Sequence, residues 1–435
     1  MTDETPPSAA STATTRRAAS LASQPGPVRH GKQKHGSSVA SLFKLLGIGL
    51  AVALVSVGTV GGYTAWSLAN RILDNSVDIS QPGDTPPPQI GAFDGGFNIM
   101  VVGVDNDSEQ GDAYGERGAT LNDVNILLHV SADHTNATAV SLPRDLLIDQ
   151  PECTNPDTGA VSSAAYNRSI NQTMQRGGLG CVVNTVEELT GLEISYAAQM
   201  TFASVVEMTN AVGGVDVCVA NDINDDYSGL HLEAGVHNIS GNTALQFLRT
   251  RHGVGDQSDL ARIATQQVYM SSLVRELKST DTLTNVGKLY SLASIAADSV
   301  KLSTSLASVD TMVAMAQTLR TINLDEMAFV QYPTITSPSD RNKVEPNQSV
   351  ADELFERLAN DEAVKPDGEA LNGSVVVTEP TDTPTTPATP TQAPTPTGTP
   401  SGEPTVAPTP TTPPTAIANL GGTTANQETC TVGNG

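Results

Sequence analysis

Positive charge is scarce in this sequence. Of its 435 residues, 23 are Lys or Arg and 47 are Asp or Glu, so the formal net charge is −24 at pH 7. Because the phosphate backbones of nucleic acids attract basic surfaces, this balance argues against a nucleic-acid partner. Aromatic residues are also sparse, at 4% with a single Trp, and we find no internal repeat.

Common catalytic and metal-binding patterns are missing as well. His134, His231 and His237 are scattered without the spacing of metal ligands, so we assign them no metal. No Ser/His/Asp or Cys/His set indicates a nucleophilic enzyme. The sequence has only four cysteines, and all of them follow the membrane segment described next.

A long uncharged segment lies near the N-terminus. Residues 1–44 are rich in Ser, Thr, Ala and Pro and are predicted to form a disordered cytoplasmic tail, with six basic residues against two acidic ones. Residues 45–70 carry no charge and are long enough to span a bilayer. Because the basic excess precedes this segment, we predict a retained signal anchor whose N-terminus is cytoplasmic; a cleaved signal peptide is the alternative.

The remaining chain divides into a linker, one domain and a tail. Residues 71–94 contain a Pro/Gly-rich stretch and are predicted to be a linker outside the cytoplasm. Over residues 95–365, predicted strands alternate with predicted helices, which indicates an α/β fold: a layered α-β-α domain with a central mixed sheet. Residues 366–435 are predicted to be a Pro/Thr-rich disordered tail.

Charged residues lie near the ends of three predicted strands. Asp105 follows the strand at 97–103, Asp123 precedes the next strand, and Arg144 follows the third. Ligands favour the carboxyl ends of strands in open α/β sheets. Each residue alone could be a turn residue or an edge charge, but the three together favour a site.

The segment from Leu248 to Gln267 is the strongest candidate for chemistry. We interpret it as a helix end, a Gly-containing loop and a new helix with Ser258 as its N-cap. Arg249, Arg251 and Arg262 lie close together in it, and arginine forks suit phosphate oxygens.

Residues Asp259, Arg262 and Gln266 fall on one face of that second helix. A surface helix with an Asp259–Arg262 ion pair is an equally weighted alternative to a functional site.

The cysteines allow one pairing and leave another open. Cys153 and Cys181 flank a loop next to the strand that leads to Arg144, so we predict a disulfide between them. Cys218 lies in a predicted strand and could reach Cys430 only if the tail folds back. The alternative for Cys218 is a buried free thiol.

An ordered set of motifs resembles the LytR-CpsA-Psr family. The set consists of Gly103–Asp105, Asp123–Val130, Ser141–Asp145, Thr185–Gly191, Gly213–Val217, and Arg249-Thr250-Arg251 followed by Asp259, Arg262 and Gln266. The resemblance covers residues 95–280 strongly and extends more weakly to 360. The order of the motifs matches that of the family, and so does the single membrane span before them.

The resemblance implies an enzyme of bacterial cell-wall assembly at the cell membrane, with an extracellular catalytic domain. Such proteins transfer a glycan phosphate from a polyprenyl-pyrophosphate carrier to a peptidoglycan hydroxyl, and a Mg²⁺-dependent pyrophosphatase activity belongs to the same chemistry. Apolar helices would enclose the prenyl tail, which gains about 0.8 kcal/mol per buried CH₂. A non-catalytic scaffold or regulator that binds lipid or wall polymer is the alternative.

The resemblance also assigns roles to residues. Asp105 and Asp123 would hold Mg²⁺, while Asp259 and Gln266 would support substrate binding. The pyrophosphate would be clamped by Arg144, Arg249, Arg251 and Arg262.

Two positions depart from the pattern of the family. Leu121 stands where many members have Arg, and Arg117 is the candidate to replace that substrate contact. Thr265 stands where a basic residue is often expected. Fewer cations would weaken phosphate binding, so the sequence allows reduced activity or a different substrate.

Overall fold

A computed structural model describes residues 38–80, 95–106, 120–156, 158–279, 292, 295, 299–367, 373–378 and 415–434. Within these residues, the α-helices are α1 (Ser38–Asp74), α2 (Thr173–Thr190), α3 (Phe202–Val212), α4 (Gly241–Arg249), α5 (Asp259–Ser279), α6 (Val309–Thr321) and α7 (Gln348–Ala359). Single 3₁₀ turns occur at Ile170–Gln172 and Leu324–Glu326.

The strands are numbered in chain order. They are β1 (Ser76–Val77), β2 (Phe97–Val104), β3 (Asn122–Val130), β4 (Ala137–Ser141), β5 (Leu147–Gln150), β6 (Cys153–Thr154), β7 (Val161–Ser162), β8 (Ala165–Ser169), β9 (Tyr196–Met200), β10 (Val215–Val219), β11 (Ile223–Asp225), β12 (Leu230–Leu232), β13 (Gly235–Ile239), β14 (Lys301–Ser303), β15 (Met327–Gln331), β16 (Thr334–Thr336), β17 (Val344–Pro346), β18 (Val375–Val377), β19 (Gly422–Thr424) and β20 (Thr429–Thr431).

A central sheet of eight strands organises the domain. Its order is β1-β14-β9-β2-β3-β4-β15-β19. The β2–β3 and β3–β4 pairs are antiparallel, whereas β2–β9 and β4–β15 are parallel, so the sheet is mixed as predicted. Because β2, β3 and β4 are central and covered on both sides, they are apolar along most of their length.

Alternate side chains of β2 enter two different cores. Met100, Val102 and Val104 pack on one face against residues of α2 and α7. Phe97 and Ile99 pack on the opposite face, where α6 and the end of α1 contribute apolar residues. The period of two along the strand therefore builds a three-layer α-β-α arrangement, which confirms the predicted fold class.

A second sheet completes the part of the fold that positions the site. Its order is β13-β10-β20-β18. Val215, Val217 and Val219 of β10 pack against Phe247 of α4 and Tyr269 of α5. This third core joins the helix before the Gly-containing loop to the helix after it, so both ends of the loop are fixed.

Helix α1 is long and apolar enough to cross a membrane, by length and composition, over Leu42–Asp74. The chain separates into two compact units after Gly62, and the described side chains of α1 in the first unit are exposed. In the second unit, the last turns of α1 belong to the domain, because Leu68 and Ile72 are buried in a core.

The predicted linker over 71–94 is wrong for its first ten residues. α1 continues to Asp74, and β1 pairs in parallel with β14 in the central sheet. Ile79 is 7% exposed and packs in the first core. A two-residue strand has no pattern of its own, since its stability comes from a partner more than two hundred residues away. Residues 81–94 lie outside the described part of the chain.

The predicted disordered tail over 366–435 is wrong for residues 373–378, which contain β18, and for its last part. Residues 415–434, which we call the C-terminal strap, return to the domain, while 379–414 lie outside the described residues. In the strap, β19 pairs with β15 at the edge of the central sheet, and β20 inserts between β10 and β18. Leu420 and Ala425 are fully buried.

Two disulfides hold the domain. Cys153 pairs with Cys181, which is the predicted pair, and Cys218 pairs with Cys430. Of the two possibilities left open for Cys218, the structure has the one in which the tail folds back. Cys218 and Cys430 are register partners in neighbouring strands, so the bond fastens the C-terminal strap to the second sheet.

We expect the second disulfide to contribute more stability than the first. The Cys218–Cys430 bond closes a separation of 212 residues and Cys153–Cys181 one of 28. In the chain-entropy model these loops correspond to about 5 and about 4 kcal/mol of unfolding free energy. Thermal unfolding of the Cys218→Ser/Cys430→Ser variant should therefore begin at a lower temperature than that of Cys153→Ser/Cys181→Ser. The reverse order would contradict the structural role given to the strap.

Candidate active site

Arg144 is surrounded by carboxylates. It follows β4, and its Nη1 lies 3.0 Å from Asp123 Oδ1 at the start of β3. Its Nε lies 3.5 Å from Asp145 Oδ2 and 3.6 Å from Asp259 Oδ1. Burial disfavours the charged guanidinium, but Asp123 and Asp259 outweigh this cost and raise the pKa of Arg144. The side chain is 26% exposed, so a fixed positive charge remains open to a ligand.

The predicted N-cap and face of α5 are both present. The Ala261 N–H donates to Ser258 Oγ at 3.1 Å, as an N-cap requires. Asp259 Oδ1 lies 2.7 Å from Arg262 Nη2, and both side chains are 9% exposed. This ion pair is therefore buried and is not the surface pair of the alternative interpretation.

Helix α5 is tied to the other stretches of the site. Arg262 Nη2 donates to the backbone oxygen of Asp123 at 2.8 Å. Gln266 Nε2 donates to the backbone oxygen of Leu248 at 2.8 Å, next to the end of α4. One helix face thus holds the start of β3 and the end of α4 in place.

Arg249 and Arg251 leave the end of α4 in different directions. The guanidinium carbon of Arg249 lies 4.5 Å from the centroid of the Phe202 ring, at the start of α3. Arg251 Nε donates to the backbone oxygen of Gln257 at 2.9 Å, which closes the loop between α4 and α5.

Asp225, at the end of β11, organises the backbone of this loop. Its Oδ2 accepts hydrogen bonds from the Thr250 hydroxyl at 2.7 Å, the Arg251 N–H at 3.0 Å and the His252 N–H at 3.2 Å. Its Oδ1 accepts from the backbone N–H groups of Tyr227 and Ser228. The residue is 2% exposed, so it serves as a fixed acceptor beneath Arg251.

Sequence reasoning missed Asp225. The local pattern Asp225-Asp226-Tyr227-Ser228-Gly229 indicates a turn, and a turn explains only the two bonds to Oδ1. The three partners of Oδ2 lie more than twenty residues later, so only the tertiary fold reveals them.

The pKa of Asp225 gives an expectation for acid stability. Burial opposes ionisation, but the hydrogen bonds from Thr250, Arg251, Ser228 and Tyr227 outweigh it and lower the pKa to about 2. An unfolded Asp titrates near 3.9, so the folded state gains about 2 kcal/mol above pH 4 and loses it as pH falls toward 2. The difference in thermal stability between wild type and Asp225→Asn should therefore shrink between pH 5 and pH 2. A constant difference would contradict this assignment.

The four arginines converge on one cavity of about 210 Å³, which we call the arginine cavity. Of the predicted site residues, it is lined by Asp123, Arg144, Arg249, Arg251, Arg262 and Gln266. Residues from β3, the end of β4, α4 and α5 therefore meet at one place. Phe202, Asp225 and the stacked pair Tyr227–His252, whose ring centroids are 4.2 Å apart, also line it.

Two of the predicted site residues that the structure describes do not line the arginine cavity. Asp259 lies behind it, against Arg144 and Arg262. Asp105 is 2% exposed at the end of β2, where its Oδ1 accepts from the Leu121 N–H at 3.1 Å. Arg117, the candidate to replace the missing Arg at Leu121, lies outside the described residues.

Asp105 and Asp123 are the two predicted metal ligands. Asp105 and Asp123 lie at the same end of the antiparallel β2–β3 pair, because the Asp105 N–H donates to the Leu121 backbone oxygen. Both supply carboxylate oxygens, and Mg²⁺ in proteins takes one or two carboxylates and completes its shell with phosphate oxygens and water. The described residues contain no larger group of His, Cys, Asp or Glu suited to a metal.

The C-terminal strap reaches the loop that carries Arg251. The Asn434 side chain donates from Nδ2 to the His252 backbone oxygen at 2.8 Å, and its N–H donates to the Gly253 oxygen at 3.1 Å. The Gly255 N–H donates to the Val432 oxygen at 3.1 Å. The last described residues of the chain therefore pair with the loop of the candidate site.

Comparisons with known proteins bear on the family and the fold of this chain. The profile described as the LytR_cpsA_psr family matches residues 70–360. The chain is 32% identical over 234 residues to the cell wall biosynthesis protein LcpA of Corynebacterium glutamicum, a match that covers 48% of this chain and 45% of that protein. The chain thus spans less than half the length of this relative.

Two further relatives cover more of their own length. The polyisoprenyl-teichoic acid–peptidoglycan teichoic acid transferase TagT of Bacillus subtilis is 23% identical over 321 residues, which is 72% of this chain and 92% of TagT. The crystal structure of protein gbs0355 from Streptococcus agalactiae superposes with a TM-score of 0.50 at 21% identity, over 61% of this chain and 88% of that one. The superposition supports the fold alone.

Proposed function

Since the chain belongs to the LytR_cpsA_psr family, we propose that it is a membrane-anchored phosphotransferase of cell-wall assembly. The substrate is a glycan linked to a polyprenyl pyrophosphate, and the acceptor is a hydroxyl group of peptidoglycan. One observation carries the proposal: four guanidinium groups from three separate stretches of the chain line one small cavity beside a carboxylate. Arginines suit a diphosphate because their forks are planar and permanently charged.

Two arginines of the cavity are held in position by neighbouring carboxylates. Arg144 is held by Asp123, Asp145 and Asp259, so its orientation is fixed before substrate arrives. The loop position of Arg251 is fixed by Asp225. Such preorganised donors stabilise charge that develops on a leaving phosphate without having to reorient during the reaction.

Asp105 and Asp123 are the residues that would hold Mg²⁺. When bound, the ion neutralises charge on the diphosphate oxygens. Asp123 also accepts from Arg144, so it links the metal position to the arginines.

The prenyl tail has a candidate location on the face of the sheet that carries α5 and α6. Met200, Met208, Met270 and Met312 are partly buried there against the second core. Methionine is unbranched and adapts to irregular apolar shapes, which suits a flexible lipid chain. Helix α1 would bring the domain to the membrane where the lipid resides, and the basic N-terminal tail would remain in the cytoplasm.

Magnesium-dependent release of phosphate from a polyprenyl-pyrophosphate analogue tests the proposal. The full-length protein in detergent should release phosphate, and EDTA should abolish the release. A wild-type protein that binds the analogue without turnover in Mg²⁺ would instead support the alternative of a non-catalytic lipid-binding scaffold.

Arg249→Ala should lower this activity about a hundredfold, because it removes one donor from the diphosphate. Its melting temperature should change little, since a partly exposed cation over an aromatic ring contributes only about 1 kcal/mol.

Phe202→Leu is the matched control for Arg249→Ala. It removes the ring beneath the guanidinium and should cost about fivefold in activity. Full activity in Arg249→Ala would exclude this residue from the site.

A further inference from the structure

A second cavity adjoins the arginine cavity. It has a volume of about 820 Å³, and we call it the groove. Arg251 lines both cavities. Asp145 and Asp259 line the groove and also lie 3.5 and 3.6 Å from Arg144 Nε, so the two cavities share a wall of ion-paired side chains.

We propose that the groove binds the acceptor, a glycan strand that presents hydroxyl and acetamido groups. This inference rests on the proposed function and adds a location for its second substrate. A two-substrate transfer requires a second site beside the diphosphate. Among the described residues, Arg251 lines both the arginine cavity and the groove, so the groove is placed to hold the acceptor.

The lining of the groove suits a sugar better than a second lipid or a second diphosphate. Amide and hydroxyl groups come from Asn342, Asn419 and Thr336, and these both donate and accept hydrogen bonds. The carboxylates of Asp145, Asp256 and Asp259 would repel a polyanion. A volume of this size lies at the upper end of the range for small-ligand sites, and it has room for more than one sugar ring.

One cation gives the groove a further preference. Arg341 lies in the turn between β16 and β17, is exposed, and makes no ion pair within the part of the chain that the structure describes. A carboxylate on the glycan strand, such as that of an acidic amino sugar or its attached peptide, would pair with it. The groove thus combines many neutral polar contacts with one contact to an anion.

Phosphoryl transfer requires an acceptor next to the diphosphate, and the groove adjoins the arginine cavity. The attacking and leaving oxygens must lie roughly in line with phosphorus, so acceptor and carrier approach from opposite sides. The acceptor oxygen forms a bond to the phosphorus next to the glycan, and the bond from that phosphorus to the carrier phosphate breaks. The proton of the acceptor hydroxyl ends on the released polyprenyl phosphate, which balances the reaction.

Substitutions in the groove should change the ratio in which the donor is transferred to the acceptor or hydrolysed by water. In wild type with a soluble, uncrosslinked peptidoglycan fragment, the donor glycan phosphate is transferred to the fragment in competition with hydrolysis by water. Thr336→Trp would fill the groove, and Arg341→Ala would remove its cation. Each should lower the ratio of transfer to hydrolysis at least tenfold. Arg320→Ala, an exposed position on α6 away from the groove lining, is the control and should leave the ratio at the wild-type value.

Direct binding separates this inference from the proposed function. The same fragment without donor should bind wild type, and Thr336→Trp and Arg341→Ala should weaken it at least tenfold by calorimetry. If the fragment binds wild type but no transfer occurs, the proposed transferase function is wrong, and the groove is still a glycan-binding site. If wild type transfers the glycan phosphate and both variants keep the wild-type ratio of transfer to hydrolysis, the acceptor does not bind in the groove. The proposed transferase function would then still hold.

Discussion

Replacement of Arg144 by Ala is expected to lower phosphate release from a polyprenyl-pyrophosphate analogue about a thousandfold. Arg144 lines the arginine cavity and is the one guanidinium that contacts Asp123, Asp145 and Asp259 together. Its removal therefore takes away a guanidinium from the cavity and also leaves Asp123 without this counter-ion, whereas Asp259 keeps Arg262 and Asp145 keeps Lys343. Loss of a single preorganised donor already costs about a hundred- to a thousandfold in other enzymes. Initial rates at saturating Mg²⁺ measure the effect.

The Arg144→Lys variant tests whether the positive charge alone is sufficient or whether the planar guanidinium group is required. Lysine keeps the positive charge but cannot donate in a planar fork, so we expect its rate to lie closer to that of Arg144→Ala than to wild type. The Ala variant should also melt earlier, because the partly buried carboxylate of Asp123 loses this counter-ion at a cost of about 2 kcal/mol. A rate in Arg144→Ala above one tenth of wild type would exclude Arg144 as a diphosphate ligand.

Asp225→Ala is expected to cause the largest loss of stability of any single substitution near the cavity. Five donors that now bind its carboxylate would be left without an acceptor. Buried or partly buried donors without partners cost about 1 kcal/mol each, so a loss of about 5 kcal/mol in unfolding free energy is expected. The melting temperature and the KM for the analogue measure the two consequences, since the loop that carries Arg251 would lose its support.

The Asp225→Asn variant is the control that keeps the size and shape of the side chain. An amide keeps the volume but turns an NH₂ group toward donors on one side, so it should recover only part of the stability. If Asp225→Ala melts within one or two degrees of wild type, the carboxylate does not hold the loop. If it melts early with an unchanged KM, Asp225 has a structural role without influence on Arg251.

The sequence predicts the elements whose signals are local. β2 is recognisable because a central strand covered on both faces is apolar along most of its length. Helix α3 carries local signals at both ends, because Thr201 caps its start and Gly213 adopts a left-handed φ of 98° at its end. The charged positions that converge were also identifiable, although residue types alone left the α5 segment evenly balanced between a site and a surface helix.

The remaining features depend on distant partners. β14 carries no local signal of this kind, because its position depends on Leu302, which pairs with Ala198 of β9 and with Ser76 of β1. A strand of three residues carries too little pattern to reveal such pairing. Asp225 and the C-terminal strap escaped prediction for the same reason, as their partners lie from twenty to more than two hundred residues away.

Thr265, a departure from the family pattern, has a structural explanation. It is fully buried in α5, and its hydroxyl donates to the Ala261 backbone oxygen at 3.2 Å. A lysine or arginine at this position would have to bury its charge or displace the helix. The threonine therefore belongs to the interior of this protein and not to the lining of its arginine cavity.

The hydrogen bond from the Asn434 side chain to the His252 backbone oxygen ties the C-terminal strap to the loop that carries Arg251. A protease that trims the strap would remove a support of this loop while leaving the four arginines in place. The candidate site would then lose rigidity without losing any of its cations.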